Sequence, residues 1–217
     1  LVSPFVYTAF DLEKRVVIGS FVLSDEFDTN LYADTADHWS NYYVNSLSYM
    51  GVVNGSVVDD ETVFRPDDKL SREQFAKILV GYLKLDVEEF NDVSLDFEDS
   101  DEISDWAVPY VRAVIGASYM RGRETIRGTI CFAPKDPITR EEAFYVLGGL
   151  FDGDADKELS FTDGGEIAPW AEENLSRLVT LGLVGGYDDG TVRPKGNITR
   201  AEAATVVVKI ADLAANS

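Results

Sequence analysis

Three arginines occupy equivalent positions, each directly after a Ser or Thr of the kind that caps a helix N-terminus: Arg72, Arg140 and Arg200. A guanidinium at such a position presents a planar, permanently charged fork that suits a carboxylate. The free N–H groups and the dipole of the helix favour an anion at the same place. The pattern therefore predicts three side chains that can bind a ligand carrying a carboxylate group.

Three other residue types recur at matching spacing, and each allows a structural as well as a ligand-binding interpretation. The aspartate of an aromatic-x-Asp triplet either caps a helix or pairs with the arginine, which would lock two segments together. Each tryptophan either offers its ring to a ligand or belongs to a core. Each glycine either adopts a positive φ or leaves room for a ligand. The candidate ligand-binding residues are Arg72, Arg140, Arg200, Asp34, Asp99, Asp163, Trp39, Trp106, Trp170, Gly55, Gly122 and Gly186.

Two helices in each of three repeats must position these residues. Each arginine opens a helix with a capping box, in which the Ser or Thr is followed three residues later by Gln or Glu. Upstream, each tryptophan begins a series of mostly apolar residues at helical spacing, which predicts a first helix. The first apolar position of the second helix changes from Phe75 to Ala143 and Ala203. One large side chain and two small ones at equivalent positions suit three helices that meet at a common axis.

Two segments do not follow the repeat. Runs rich in Val, Phe and Ile at 5–10 and 15–23 predict a β-hairpin. Residues 86–105 contain ten acidic and no basic side chains, which predicts a solvated linker. We therefore predict four parts: a β-hairpin or the tail of an upstream β domain at 1–28, the first repeat at 29–85, the linker and second repeat at 86–151, and the third repeat at 152–217.

Composition disfavours several functional classes. The 217 residues carry a net charge of −20, which argues against nucleic acid and anionic membrane surfaces as partners. A single cysteine and a single histidine allow no intrachain disulfide, thiolate zinc site or histidine relay. No apolar run is long enough for membrane insertion. The start at Leu1 lacks a signal-peptide pattern, which is typical of a mature form or an excised piece.

Two competing signals are weaker than the repeat pattern. Residues 152–156 have the Asp-x-Asp-x-Asp spacing of a calcium loop, but Lys157 stands where that loop needs Gly, and Asp163 where it needs Glu. Paired carboxylates suit a glycosidase, yet they carry little information in so acidic a chain, and no nucleophile elbow accompanies them. We therefore predict that the chain is not an enzyme and has no cofactor or metal site.

The order of these landmarks resembles the S-layer homology (SLH) module of bacterial surface proteins. The third repeat carries the motif most fully: Phe161-Thr162-Asp163, Trp170-Ala171, Gly186-Tyr187-Asp188-Asp189-Gly190-Thr191, Pro194 and Ile198-Thr199-Arg200-Ala201-Glu202. The resemblance covers roughly residues 29–213 in three tandem copies. The second repeat departs from it, since its loop carries Arg121, Arg123 and Arg127 where the third has Tyr-Asp-Asp-Gly.

The resemblance implies a mainly α fold of three helix-loop-helix repeats, in addition to the N-terminal β-hairpin. These repeats would form a pseudo-threefold trimer around a central three-helix bundle. It also implies an extracellular module at the cell wall or S-layer, which binds secondary cell-wall polysaccharide non-covalently, through a pyruvylated sugar in grooves between repeats. Neighbouring surface-layer proteins are further partners. The alternative is a protein–protein interaction module in a surface lattice, assisted by calcium.

Overall fold

The computed structural model describes residues 5–11, 16–23, 31–152, 155 and 158–215, the first two segments as backbone. These residues form six α-helices and three two-stranded antiparallel sheets. The helices are α1 (Asn41–Tyr49), α2 (Arg72–Leu83), α3 (Val108–Gly116), α4 (Arg140–Gly148), α5 (Pro169–Thr180) and α6 (Arg200–Ala215). The strands are β1 (Phe5–Asp11), β2 (Val16–Leu23), β3 (Ser56–Val58), β4 (Glu61–Val63), β5 (Arg123–Glu124) and β6 (Ile130–Cys131). The predicted mainly helical class is confirmed, and no helix in these residues has the length and apolarity that a membrane span requires.

The two N-terminal strands form the predicted hairpin. β1 and β2 run antiparallel, with Phe5 opposite Leu23 and an irregularity in register between Ala9 and Phe10. β1 lies beside α6. An isolated two-stranded sheet is at best marginally stable in water, so the neighbouring helix gives this hairpin a surface to lie against. The connection between the strands, residues 12–15, lies outside the described residues.

The second helix of each repeat begins at its predicted capping box. Before α4, Thr139 N–H donates to Glu142 Oε2 over 3.0 Å, and Glu142 N–H donates to Thr139 Oγ1 over 3.3 Å. The same reciprocal bonds join Ser71 to Gln74 before α2 and Thr199 to Glu202 before α6. Each box satisfies N–H groups that a helix start leaves unpaired and contributes about 1 kcal/mol. The candidate arginine is thereby fixed in the first turn of each helix.

The chain forms two compact units. One runs up to Asp68 and includes Gly81–Lys84 and the segment from Thr199 onward. The other consists of Lys69–Val80 and Leu85–Ile198. In the first unit α1 packs against α6, and in the second α4 packs against α5. Each unit therefore has a core between helices.

A ring of three backbone hydrogen bonds closes within the second unit. Leu70 N–H donates to Ile198 O over 3.1 Å, and Ile198 N–H donates to Ile138 O over 3.2 Å. Ile138 N–H donates to Leu70 O over 2.9 Å and completes the ring. All three side chains are fully buried. The ring joins equivalent segments of the three repeats, each lying two residues before the first residue of a second helix.

The acidic segment 86–105 is folded beside α3. It contains a short 3₁₀-helix at Val87–Phe90, which contacts α3, and a second one at Ser100–Glu102. A Cβ added at Gly116 would lie 2.8 Å from Val93 Cγ2, so a glycine at this position allows the close approach. Most side chains of the segment are exposed or half-buried, as expected for its charge.

Candidate ligand-binding site

Each repeat contains two residues directly before a proline, termed here the pre-proline pair: Phe64-Arg65, Phe132-Ala133 and Val192-Arg193. The second residue of each pair has a positive φ, 60°, 54° and 50° in chain order. This left-handed region is uncommon for residues other than glycine, and a following proline favours extended backbone instead. Contacts with the surrounding structure must therefore hold each pair in this conformation.

The aspartate of each aromatic-x-Asp triplet provides such a contact. Asp99 Oδ1 accepts Phe132 N–H, and Asp99 Oδ2 accepts Ala133 N–H, both over 2.7 Å. In the same way Asp163 binds Val192 and Arg193, and Asp34 binds Phe64 and Arg65. Hydrogen bonds to a charged acceptor are among the stronger ones in proteins. The structural roles predicted for these aspartates, a partner for the arginine or a side-chain cap of a helix, are therefore wrong.

The arginines bind the carbonyl groups of the same pre-proline pairs. Their Nε atoms donate to the first residue of a pair, Arg72 to Phe132 O over 2.7 Å, Arg140 to Val192 O over 2.8 Å and Arg200 to Phe64 O over 2.9 Å. Arg72 is 3% and Arg140 6% exposed. Each arginine thus holds a loop of another repeat, through a carbonyl group and not through the predicted aspartate.

Arg72 makes further contacts with the second repeat. Its Nη2 donates to Arg121 O over 2.8 Å, and its Nη1 lies 3.4 Å from Glu142 Oε1. The guanidinium also lies over the Phe132 ring, 5.1 Å from its centroid. Burial lowers the pKa of Arg72 to about 10, so the side chain keeps its charge at neutral pH. A buried positive charge therefore lies beneath the loop that contains Arg121.

A second guanidinium, that of Arg123, lies beside Arg72. It binds Glu142 with two parallel hydrogen bonds, Nε to Oε1 over 2.7 Å and Nη2 to Oε2 over 2.6 Å. The hydrogen bond to Glu142 raises the pKa of Arg123. Burial acts to raise the pKa of Glu142, but the hydrogen bonds from Arg123 and Thr139 and the charge of Arg72 outweigh it, so this pKa is lowered. The carboxylate is therefore ionised and holds Arg123 in place.

A cavity of about 290 Å³ lies next to these groups. It is lined by Arg72, Tyr119, Met120, Arg121, Gly122, Arg123, Ile138, Glu142, Tyr145, Val146 and Trp170. Trp170 is 51% exposed and meets the Tyr145 ring edge-on, with 5.3 Å between centroids. The structure thus brings together three predicted site residues, Arg72, Gly122 and Trp170. The contributions of Arg123, Glu142 and Tyr145 were not predicted, although the three arginines of this loop were an available signal.

All three tryptophans are exposed. Trp39 is 58% and Trp106 46% exposed, similar to Trp170. Their positions in the sequence allowed a core location, and that alternative is wrong, because each residue lies before or at the first turn of its helix, where the apolar face is not yet covered. Lys77 Nζ lies 5.8 Å from the Trp106 ring centroid. About half of each tryptophan residue is therefore exposed at the surface.

The three candidate glycines lie against the aromatic residue of their own aromatic-x-Asp triplet. A Cβ added at Gly122 or at Gly186 would lie 2.8 Å from Phe97 or Phe161 Cε1, and Gly55 is equally crowded by Tyr32. Of the three, Gly186 has a positive φ, +78°. A close approach of an aromatic ring therefore requires glycine at all three positions, and backbone conformation requires it at one.

A comparison with protein-family models identifies the repeats. The model of the S-layer homology domain matches residues 31–76, 96–144 and 160–204. The chain belongs to the S-layer homology family. The predicted tandem arrangement of three SLH repeats is thereby confirmed, as is the predicted location at the bacterial cell surface.

Curated relatives contain this module within longer proteins. The chain is 30% identical over 178 residues to an S-layer protein of Bacillus thuringiensis subsp. finitimus, covering 80% of the chain and 20% of that protein. It is 29% identical over 154 residues to a cellulosome-anchoring protein of Acetivibrio thermocellus, covering 67% and 32%. An amylopullulanase of Thermoanaerobacterium thermosulfurigenes is 26% identical over 198 residues, covering 88% and 10%. The chain therefore spans between a tenth and a third of these relatives.

Two buried glutamates, which sequence reasoning did not assign, also join SLH repeats. Glu73 Oε2 accepts Ser104 N–H over 3.1 Å, and its Oε1 accepts Lys135 Nζ over 2.8 Å. Glu141 binds Ala168 N–H over 3.1 Å and Lys195 Nζ over 2.6 Å. At the equivalent positions the third repeat has Ala201 and the first repeat has Asp67, whose Oδ1 lies 3.3 Å from His38 Nε2. An available signal was Glu after Arg in the first and second repeats together with Lys after Pro in the second and third repeats.

No group of three or more His, Cys, Asp or Glu side chains within the described ranges could hold a metal ion. The calcium-like spacing at 152–156 falls largely on residues 153, 154, 156 and 157, which are outside those ranges.

Proposed function

We propose that this chain is a non-catalytic cell-wall anchoring module that binds anionic secondary cell-wall polysaccharide non-covalently. The family supports anchoring, since relatives include S-layer proteins and a cellulosome-anchoring protein. The enzymes among the relatives match over a tenth to a sixth of their length, which fits a module joined to other domains. The ring formed by Leu70, Ile138 and Ile198 supports a pseudo-threefold arrangement with a central three-helix bundle.

The cavity beside Arg72 carries the proposal. Its lining contains three arginines, Arg72, Arg121 and Arg123, and three aromatic residues, Tyr119, Tyr145 and Trp170, in a protein of net charge −20. Cations gathered at one place in so acidic a chain favour an anionic ligand there. Its volume of about 290 Å³ is at the lower end of ligand pockets, roughly 300–1,000 Å³. Such a pocket suits one substituted sugar residue and not a long stretch of polymer.

The proposed ligand is a sugar whose pyruvate ketal presents a carboxylate. Arg121 at the edge of the cavity contacts this carboxylate, while Arg72 and Arg123, whose guanidinium groups already bind protein partners, supply positive potential beside it. Trp170 and Tyr145 provide apolar faces for the sugar ring. Gly122 leaves the loop backbone accessible at the wall of the cavity. The role of Arg72 thus differs from a direct bidentate clamp, because its donors already bind protein carbonyl groups.

The remaining candidate residues take equivalent roles in the other repeats. Arg140 and Arg200 bind pre-proline pairs as Arg72 does, and Asp34, Asp99 and Asp163 keep these loops in shape. Trp39 and Trp106 offer exposed rings, and Gly55 and Gly186 shape the loops. Several weak sites on one polymer would act together by avidity, so that retention at the wall is tight with modest affinity at each site.

Calorimetric titration with purified, protein-free secondary cell-wall polysaccharide tests the proposal. We expect binding to the native polymer and a loss of most of the affinity after mild acid removes ketal pyruvate. R121A should weaken binding because Arg121 lines the cavity, whereas R127A is a matched control in the same loop but outside the cavity lining. Absence of binding to either polymer would contradict the proposal. Equal binding to both would retain anchoring and remove the pyruvate from it.

The second candidate is a protein–protein module of a surface lattice. Exposed apolar side chains on two surface hairpins, among them Val57 and Ile126, favour it. Competition by protein-free polysaccharide separates the two functions, since it would displace a wall ligand and leave a protein contact in place.

A further inference from the structure

An acidic hairpin with exposed apolar side chains projects from the first repeat. It comprises residues 56–63 and contains β3 and β4, whose turn carries Asp59, Asp60 and Glu61 and no basic residue. Val57 is 72% exposed. An anionic polysaccharide or lipid is repelled by such a turn, so this hairpin is suited to a partner that is both cationic and apolar.

A basic hairpin occupies the equivalent position in the second repeat. It comprises residues 121–131, contains β5 and β6, and carries three arginines against one glutamate. Arg121 and Arg127 are exposed, whereas Arg123 is tied to Glu142. At its turn Ile126 is fully exposed, a notable place for a large apolar side chain. Turn residues are more often Gly, Asn, Asp or Pro.

We propose that the basic hairpin of one copy of this chain docks onto the acidic hairpin of a second copy. The two surfaces are opposite in charge, and each offers an exposed β-branched side chain that contact would remove from water. Because two different surfaces meet, copies can either pair reciprocally in a closed dimer or continue head-to-tail into larger assemblies. The proposal is independent of polysaccharide binding.

The size of the hairpins determines the expected strength. Two short hairpins bury less than the roughly 1,200 Å² of stable complexes, so the contact is weak in dilute solution. It is also salt-sensitive, since exposed charges are screened within about 10 Å at 0.1 M salt. Many copies held on one surface have a high effective concentration, which strengthens a weak contact.

Sedimentation velocity over a concentration series tests the proposal. At low ionic strength the weight-average sedimentation coefficient of the wild-type chain should rise with concentration, and at high salt the rise should disappear. R127E and E61K should each abolish the rise. K69E is the matched control, because it changes the charge of an exposed residue outside both hairpins and should associate like the wild type. The unfolding temperature of each variant verifies that it is folded.

Mixing the two hairpin variants gives the decisive result. R127E retains the acidic hairpin and E61K retains the basic one, so an equimolar mixture should form heterodimers although neither variant associates alone. A wild-type chain that stays monomeric at every concentration and salt would overturn the proposal, as would a mixture without heterodimers. If R127E self-associates like the wild type but binds polysaccharide less tightly, the hairpin belongs to the polymer site and the proposal is wrong.

Discussion

The surroundings of Arg72 and Arg140 share the same set of contacts between repeats, termed here the framework, and differ in one neighbouring side chain, termed here the wall. In both, the arginine Nε binds the carbonyl of a pre-proline pair, over 2.7 Å and 2.8 Å, and an aspartate binds the N–H groups of that pair. In both, the glutamate after the arginine binds a lysine and a backbone N–H of another repeat. These contacts join segments of neighbouring repeats.

The wall that differs is formed by the residue after the loop glycine. Beside Arg72 this residue is Arg123, whose guanidinium binds Glu142. Beside Arg140 it is Tyr187, whose ring centroid lies 4.6 Å from Arg140 Cζ and 3.9 Å from Arg193 Cζ. The comparison indicates that the two places share their contacts between repeats and differ in the side chain at this single position.

The largest effect is expected from removing the arginines of the framework. R72M and R140M keep an unbranched apolar chain but remove the guanidinium, so a pre-proline carbonyl loses its donor. Each variant should therefore lower the free energy of unfolding by about 3 kcal/mol. Urea unfolding followed by circular dichroism measures this. R127M changes an exposed arginine and should stay within about 0.5 kcal/mol of the wild type. A difference between R72M and R140M above about 1.5 kcal/mol would contradict a shared framework.

The loop glycines should have the next largest effect. G122A and G186A both place a Cβ 2.8 Å from an aromatic carbon, which should destabilise the protein by about 2 kcal/mol. G186A should cost more, because Gly186 also has a φ of +78°. Gly165 has no atom within 4 Å of a built Cβ, so G165A serves as control in the same unfolding experiment. Equal stability of all three variants would be inconsistent with the close contacts.

Replacing Arg123 by the residue found beside Arg140 tests the wall directly. If the cavity binds a carboxylated sugar, R123Y should weaken calorimetric binding about tenfold, or 1.4 kcal/mol, because one guanidinium is lost and Glu142 faces the ligand without its partner. R123K keeps the positive charge but not the planar guanidinium, so its affinity should lie between those of the wild type and R123Y. Unchanged affinity in R123Y would mean that the side chain of Arg123 does not act on the ligand.

The smallest expected effect is a change in how the stability of the protein depends on pH. Because the pKa of Glu142 is lowered in the folded protein, its ionised form contributes stability above its ordinary pKa of 4.5, and this contribution disappears as the pH falls through the folded value. The stability difference between wild type and E142Q should therefore be largest near neutral pH and shrink below pH 4.5. E124Q, an exposed change in the hairpin that contains Arg123, is the control. Parallel curves for wild type and E142Q between pH 7 and pH 3 would contradict it.

Much of the fold could be predicted because it depends on local sequence patterns. Helical spacing predicted two helices per repeat, and the three capping boxes placed the starts of α2, α4 and α6 at the residues found. Runs rich in Val, Phe and Ile predicted the N-terminal hairpin. These features depend on residues within a few positions of one another, and their threefold repetition made each one more certain.

The site was predicted less well. Equivalent positions identified the arginines that contact the loops, yet not their partners, and a core location for the tryptophans was among the alternatives. Helical spacing says which residues share a face, but not which face another repeat covers. Trp39 lies before the first residue of α1 and is 58% exposed, which spacing alone did not show.

The sequence by itself determined the repeat, the helix starts, the acidic character and the family. The tertiary structure alone decided how the loops are held and which side chains form the cavity. Arg72 and Phe132 are 60 residues apart in the chain, Lys135 and Glu73 are 62 apart, and Arg123 and Glu142 are 19 apart. Side chains so distant meet when the repeats join, and buried charges and left-handed backbone are stable there because each finds its partner in another segment.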